Sequence, residues 1–172
     1  MPRIGIALGS NLGDRLANLH AACELLREIA TPGAPFLRAP IYQTEPRHCP
    51  PGSPDFYNTV VEISYDGDPA TLLEATQAIE RKMGRVDSPE RNAPRIMDVD
   101  LLYFGDTLLD TGSLVLPHVR LGERRFVLQP LAVIRPSLIL PGANRTISEM
   151  LAELVSDEPP LTVVENPQAE LG

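Results

Sequence analysis

Only two cysteines occur in the chain, Cys23 and Cys49. One falls on the apolar stripe of a predicted helix and the other in a proline-rich stretch, which gives neither a disulfide framework nor a metal-ligand spacing. Long apolar runs are also missing, so no segment reads as a bilayer span. The alternation Ile4, Ile6, Leu8 near the start is unlike a basic leader followed by an apolar stretch. The expected setting is the cytoplasm, away from membranes. Basic charge is in deficit, 15 Lys and Arg against 23 Asp and Glu for a net charge of -8. That balance opposes attraction to a polyanion and argues against a nucleic-acid partner. Neither a Gly-x-x-x-x-Gly-Lys-Ser/Thr run nor a Gly-x-Gly-x-x-Gly run is present, so a nucleotide would have to be held without either phosphate loop.

What basic charge exists is gathered. Arg81, Lys82, Arg85, Arg91, Arg95, Arg120, Arg124 and Arg125 place eight of the fifteen cationic side chains between positions 81 and 125. A local anion site on an acidic chain fits that distribution.

The length of 172 residues suits one domain, assigned to 1–164, with 165–172 read as a frayed tail. Residues 3–8 alternate as a strand, and Gly9 to Asp14 supply a turn and a helix cap. Leu16, Leu19, Cys23 and Leu26 recur at helical spacing and predict a helix over 14–29, ending before Thr31-Pro32-Gly33. A strand is predicted over 36–42, then a proline-rich loop over 43–54. The β-branched stretch 59–65 predicts another strand. Asp66-Gly67-Asp68-Pro69 reads as a turn and cap before a helix marked by Leu72, Leu73, Thr76, Ile79 and Met83. Asp98 to Phe104 alternates as a strand, with a hairpin turn at Gly105-Asp106 and a return over 107–109. The order βαββαβ predicts an α+β, ferredoxin-like core, its antiparallel sheet covered by helices. C-terminal additions follow: a short helix over 126–134 and another from Thr146, which has capping-box spacing to Glu149.

Asp98-Val99-Asp100 is the sharpest chemical feature. Strand geometry puts the two carboxylates on one face, about 6.6 Å apart along the chain. Such a pair suits Mg²⁺, which takes one or two carboxylates with waters and phosphate oxygens; by itself it fits a solvated strand face equally. Asp66 and Asp68 share the spacing, but the turn and cap account for them. Just upstream, Arg91-Asn92-Ala93-Pro94-Arg95 brings guanidinium groups, which match phosphate in a bidentate manner. Magnesium beside arginines is the pattern of phosphoryl transfer; the bland reading is a surface charge network.

Further motifs bear on the choice: Gly9-Ser10-Asn11-Leu12-Gly13, Tyr42-x-Thr44, Pro54-Asp55-Phe56-Tyr57-Asn58, Gln77-Ala78-Ile79-Glu80 and Gly84-Arg85. After them come Arg91 to Leu102, Pro117-His118, Arg124-Arg125-Phe126-Val127-Leu128 and Pro130-Leu131. With these, nearly the whole chain resembles the 6-hydroxymethyl-7,8-dihydropterin pyrophosphokinases of folate biosynthesis, and the block Arg95 to Leu102 matches that family's signature.

The resemblance implies transfer of pyrophosphate from ATP to the hydroxymethyl group of a reduced pterin, with AMP released. It implies that Asp98 and Asp100 ligate two Mg²⁺ ions bridging ATP phosphates. Arg85 and Arg95 match loop arginines that close over the triphosphate, and His118 and Arg124 match further phosphate contacts. Gln77 and Glu80 match nucleotide contacts. Asn58 would read the pterin edge, Phe56 and Phe126 would stack on its ring, and Thr44 lies where backbone groups read the remaining edge. No strong general base is evident, and loops 43–54 and 84–95 are expected to close and exclude water. A monomer is expected. Val119, Asn92, Ser113 and Val115 depart from residues common in the family. The readings weighed against this one are a non-catalytic pterin-binding module, an RNA-binding domain of the same fold, and a simple kinase releasing ADP.

Overall fold

The computed structural model describes residues 2–45, 52, 54–84, 96–156, 158 and 161–167. Strand β1 (Arg3–Ser10) runs through the middle of the main sheet. Ile4, Ile6 and Leu8 are buried on one face, and the small residues Gly5, Ala7 and Gly9 occupy the other. Helix α1 (Arg15–Ile29) starts where the Asp14 carboxylate accepts the Ala17 N–H at 3.1 Å, and it buries Leu19, Ala22, Cys23 and Leu26. The Cys23 thiol is pushed up to about 11 by burial, so it is an inert core group.

The single strand predicted over 36–42 is divided. Strand β2 (Leu37–Arg38) and strand β3 (Ile41–Thr44) both pair with β4 (Phe56–Ser64), and Pro40 lies between them. Proline offers no N–H to the ladder, while its neighbour Ala39 donates to the Val60 carbonyl at 2.9 Å. Strand β4 also begins earlier than the predicted 59, which brings Phe56 and Asn58 into the sheet. Helix α2 (Pro69–Lys82) is capped by Asp68, which accepts the Thr71 N–H at 2.8 Å, with Pro69 at the first position.

Strand β5 (Asp98–Phe104) matches its prediction and pairs with β1. The predicted hairpin return does not. Thr107 N donates to Phe104 O at 3.0 Å and closes a turn, but β6 (Leu109–Asp110) pairs with β7 (Val115–Leu116) instead of β5. The outer side of β5 is already engaged: a Glu80 carboxylate oxygen takes the Val99 N–H, and the His118 N–H goes to Leu102 O at 2.7 Å. Covered in this way, the edge has less room for a further strand.

Helix α3 (Arg125–Ile134) contains Pro130, which has no N–H for the Phe126 carbonyl one turn back. Helix α4 (Ile147–Glu153) opens with the predicted capping box, Thr146 and Glu149 bonding each other's backbone N–H at 3.0 and 3.1 Å. Strand β8 (Thr162–Glu165) has no counterpart in the sequence reading; it pairs with β3, and Glu165 binds Arg38 and His20. The main sheet has the order β5-β1-β4-β3-β8, antiparallel throughout, which is the ferredoxin-like order extended by one strand.

Helices α1 and α2 cover the face of Ile4, Ile6, Leu8, Val61 and Ile63. The C-terminal helices cover the opposite face, over Val60, Leu102 and Tyr103. That second face also holds a buried ionic cluster. Glu62, fully buried, accepts from Arg3 Nε at 2.8 Å, from Arg135 Nη1 at 2.7 Å and from the Tyr103 hydroxyl. Burial, reinforced by the Glu62 charge, raises the Tyr103 phenol well above its usual range. Because Arg135 caps the far end of α3, the cluster ties that helix to the sheet.

Candidate active site

Antiparallel register decides which side chains share a face. Asp98 stands opposite Gly9, Gly9 opposite Asn58, and Asn58 opposite Tyr42; Asp100 stands opposite Ala7, and Ala7 opposite Val60. Thr44 stands opposite Phe56, two residues along β4 from Asn58. With period two along each strand, Thr44, Phe56, Asn58, Asp98 and Asp100 therefore lie on one face, the face that α3 crosses over β3 and β4.

Asn58 is buried, and its Nδ2 donates to Thr44 Oγ1 at 2.7 Å. Its carbonyl oxygen occupies the space above Gly9: a Cβ on Gly9 would stand 2.7 Å from Asn58 Oδ1 and 3.6 Å from Phe56 Cδ1. Asp98 is half-buried and Asp100 exposed, and the facing residues Gly9 and Ala7 are too small to cover them. Two hard oxygen donors on one strand face suit a divalent cation. Among the described residues no group of three or more His, Cys, Asp or Glu side chains gathers as a metal cluster.

Phe126 stands in the first turn of α3, with the Arg124 guanidinium 5.4 Å from its ring centroid. His118 is tied beside the outer edge of β5 by the bond to Leu102 O. Its Nδ1 accepts the Arg120 N–H at 3.1 Å, which leaves the neutral ring's proton on Nε2. Burial lowers its pKa; Asp100 opposes that shift, and Arg124 and Arg120 add to it. His118, Asp100 and Arg124 thus share one electrostatic neighbourhood.

The two α2 residues separate. Gln77 is exposed, whereas Glu80 is buried and its Oε2 accepts the Val99 N–H at 3.0 Å. Arg85 and Arg95, with Arg91 and Asn92, lie outside the described residues. The flanks of that segment meet: Ile96 Cδ1 lies 3.2 Å from where a Cβ on Gly84 would stand, and Gly84 has a φ of +93°. Of the departures from the family pattern, Ser113, Val115 and Val119 are exposed, around β7 and the His118 loop.

Three supporting residues escaped the sequence reading. Asn18, on α1, places its Nδ2 within 3.1 Å of Ser10 Oγ, 3.0 Å of Leu12 O and 3.4 Å of Ile96 O. Arg15 donates to Asp55 O at 2.8 Å and lies over the Tyr57 ring, and Gln43 donates to Asp55 at 2.7 Å. Their sequence signal is position alone: Arg15 and Asn18 follow the 9–13 motif, and Gln43 is the middle residue of Tyr42-x-Thr44.

Residues 5–136 match the family model for 7,8-dihydro-6-hydroxymethylpterin-pyrophosphokinase. The chain belongs to this family. Members are ATP-dependent pyrophosphokinases, and their defining reaction moves pyrophosphate from ATP to hydroxymethyldihydropterin. The chain is 40% identical over 158 residues to the 2-amino-4-hydroxy-6-hydroxymethyldihydropteridine pyrophosphokinase of Methylorubrum extorquens, covering 90% of this chain and 94% of that one. It is 35% identical over 152 residues to the folic acid synthesis protein fol1 of Schizosaccharomyces pombe, covering 88% of this chain but only 20% of that protein. The chain thus spans about a fifth of the length of that relative. In fold it resembles wild-type HPPK-DHPS of Plasmodium falciparum crystallised with pteroate, with a TM-score of 0.67 at 16% identity over 88% of this chain and 42% of the other. No helix among the described residues is long and apolar enough to cross a membrane.

Proposed function

We propose that this chain carries out the family's reaction with the pterin end and the metal end of its site on either side of Gly9. The observation that carries the reading is the register Asn58, Gly9, Asp98 across three adjacent strands. Asn58, fixed through Thr44, presents its remaining amide capacity to the pterin edge, and Phe56 and Phe126 stack on the ring. Asp98 and Asp100 hold magnesium, as a pair of ions. Bound there, the metal would neutralise phosphate charge and orient the triphosphate. Arg85, Arg95, Arg124 and neutral His118 bind the phosphates, and exposed Gln77 contacts the nucleotide. One Glu80 oxygen is committed to the Val99 amide.

The pterin hydroxyl oxygen attacks the β-phosphorus. Its bond to that phosphorus forms as the bond to the α-phosphate oxygen breaks, AMP leaves, and the hydroxyl proton passes to solvent. The residues contribute position and opposing charge rather than a strong base. We further read the catalytic unit as residues 1–164, acting as a monomer in the cytoplasm on small-molecule substrates alone.

Identifying the products of ATP, Mg²⁺ and hydroxymethyldihydropterin by ³¹P NMR tests this reading. AMP and a pterin diphosphate are expected in equal amounts. ADP with a pterin monophosphate would point to a simple kinase, and tight pterin binding with no turnover to a binding module.

A further inference from the structure

We infer that Glu80 is a positioning residue for Asp98 and Asp100, acting on the backbone between them. The inference rests on the reading of those aspartates as the metal pair. Strand β5 is an edge strand, bonded to β1 on its inner side. Among the described residues no strand pairs with its outer N–H and C=O groups, and an edge held on one side only can twist or slip.

Glu80 reaches that outer side from α2. Its carboxylate is buried and accepts the Val99 N–H at 3.0 Å. A buried carboxylate is costly unless strongly bonded, and a charge-assisted bond to a backbone amide is among the stronger hydrogen bonds available. The amide chosen is the one between the two aspartates, so its position sets the direction of both side chains at once.

Two further bonds frame the same segment. Asn18 Nδ2 reaches Ile96 O at 3.4 Å, two residues before Asp98, and His118 N donates to Leu102 O at 2.7 Å, two residues after Asp100. Helix α1, helix α2 and the loop after β7 thus each grip β5 near the pair. Of the three, Glu80 acts inside it.

Reach and charge can be separated. Glu80→Gln keeps an acceptor at the same distance without the charge, whereas Glu80→Asp keeps the charge but is one methylene too short. Two readouts apply to the full chain: hydrogen exchange of the Val99 amide, and the affinity for Mn²⁺ alone, followed by broadening of amide signals. The positioning role predicts that Glu80→Asp speeds Val99 exchange and weakens Mn²⁺ binding about 10- to 100-fold, as loss of a partner behind a metal ligand does. Glu80→Gln loses the charge but keeps the acceptor, so its losses in both readouts are smaller than those of Glu80→Asp. Mn²⁺ affinity unchanged in Glu80→Asp, or equally weak in both variants, would overturn the inference. Asp98→Ala is the reference: if it binds Mn²⁺ as the unaltered chain does, the metal reading beneath the inference fails instead.

Discussion

Asn58 and Asp98 stand on opposite sides of Gly9 on one face of the sheet, each in register with that glycine. Two inter-strand spacings put their backbones about 10 Å apart. On the proposed reading, the residue for the ring and the residue for the cation are thereby spaced for a hydroxymethyl arm to meet a phosphate.

Gly9 is then the most sensitive small residue in the site. In Gly9→Ala the new methyl would stand 2.7 Å from Asn58 Oδ1, so the amide must turn away. Overpacking of this kind costs about 1–3 kcal/mol. The expected result is a pterin KM raised tenfold or more, with nucleotide binding and Mn²⁺ affinity little changed; titration calorimetry with each ligand separates the two.

Four aspartates in two Asp-x-Asp pairs should behave differently. Asp98→Ala and Asp100→Ala are expected to lower turnover by orders of magnitude with the thermal transition intact. Asp68→Ala should lower the transition temperature and leave turnover unchanged, because its carboxylate caps α2. Asp66→Ala should alter neither. Equal activity losses at all four positions would contradict the assignment.

The cap also predicts a pH effect. Hydrogen bonds from the Thr71 N–H and from the Thr71 side chain hold the Asp68 carboxyl below its ordinary value. The unfolded chain therefore takes up the proton first. The cap's contribution is complete above the ordinary aspartate range and is lost as pH falls through the lower, folded value. Acid unfolding of Asp68→Asn followed by circular dichroism should lack this part of the pH dependence.

The Glu62 cluster, four residues along β4 from Asn58, is expected to act on stability. Glu62→Ala leaves Arg3 and Arg135 without their buried carboxylate, and removal of one partner from such a group costs about 3 kcal/mol. Tyr103→Phe removes one donor and costs about 1 kcal/mol. Denaturant unfolding should show both losses, and KM for either substrate should stay where it is in Tyr103→Phe.

Local signals were enough for much of this molecule. Alternation, helical spacing and caps foretold β1, α1, α2, β5 and the capping box of α4, and period two alone put Asp98 and Asp100 on a common face. What escaped depends on distant partners. Pro40 divides a predicted strand whose two parts, from Leu37 and from Tyr42, both pair with β4, a pairing no local pattern encodes. Strand β8 pairs along the edge that β3 offers it, and Arg38 and His20 bond Glu165 there. The hairpin after Gly105 was misread because the outer side of β5 is engaged by Glu80 and His118, residues far away in sequence. Glu80 itself looks like helix surface by composition, and only the packing of α2 on β5 shows it to be buried.

On the proposed reading, the pterin and the metal occupy neighbouring parts of one cleft. Relaxation of the bound pterin's hydroxymethyl protons by Mn²⁺ measures that separation directly. Broadening consistent with about 10 Å or less, from the strand spacing, is predicted in the unaltered chain and should vanish in Asp98→Ala. Pterin that binds at Asn58 yet feels no Mn²⁺ would contradict it.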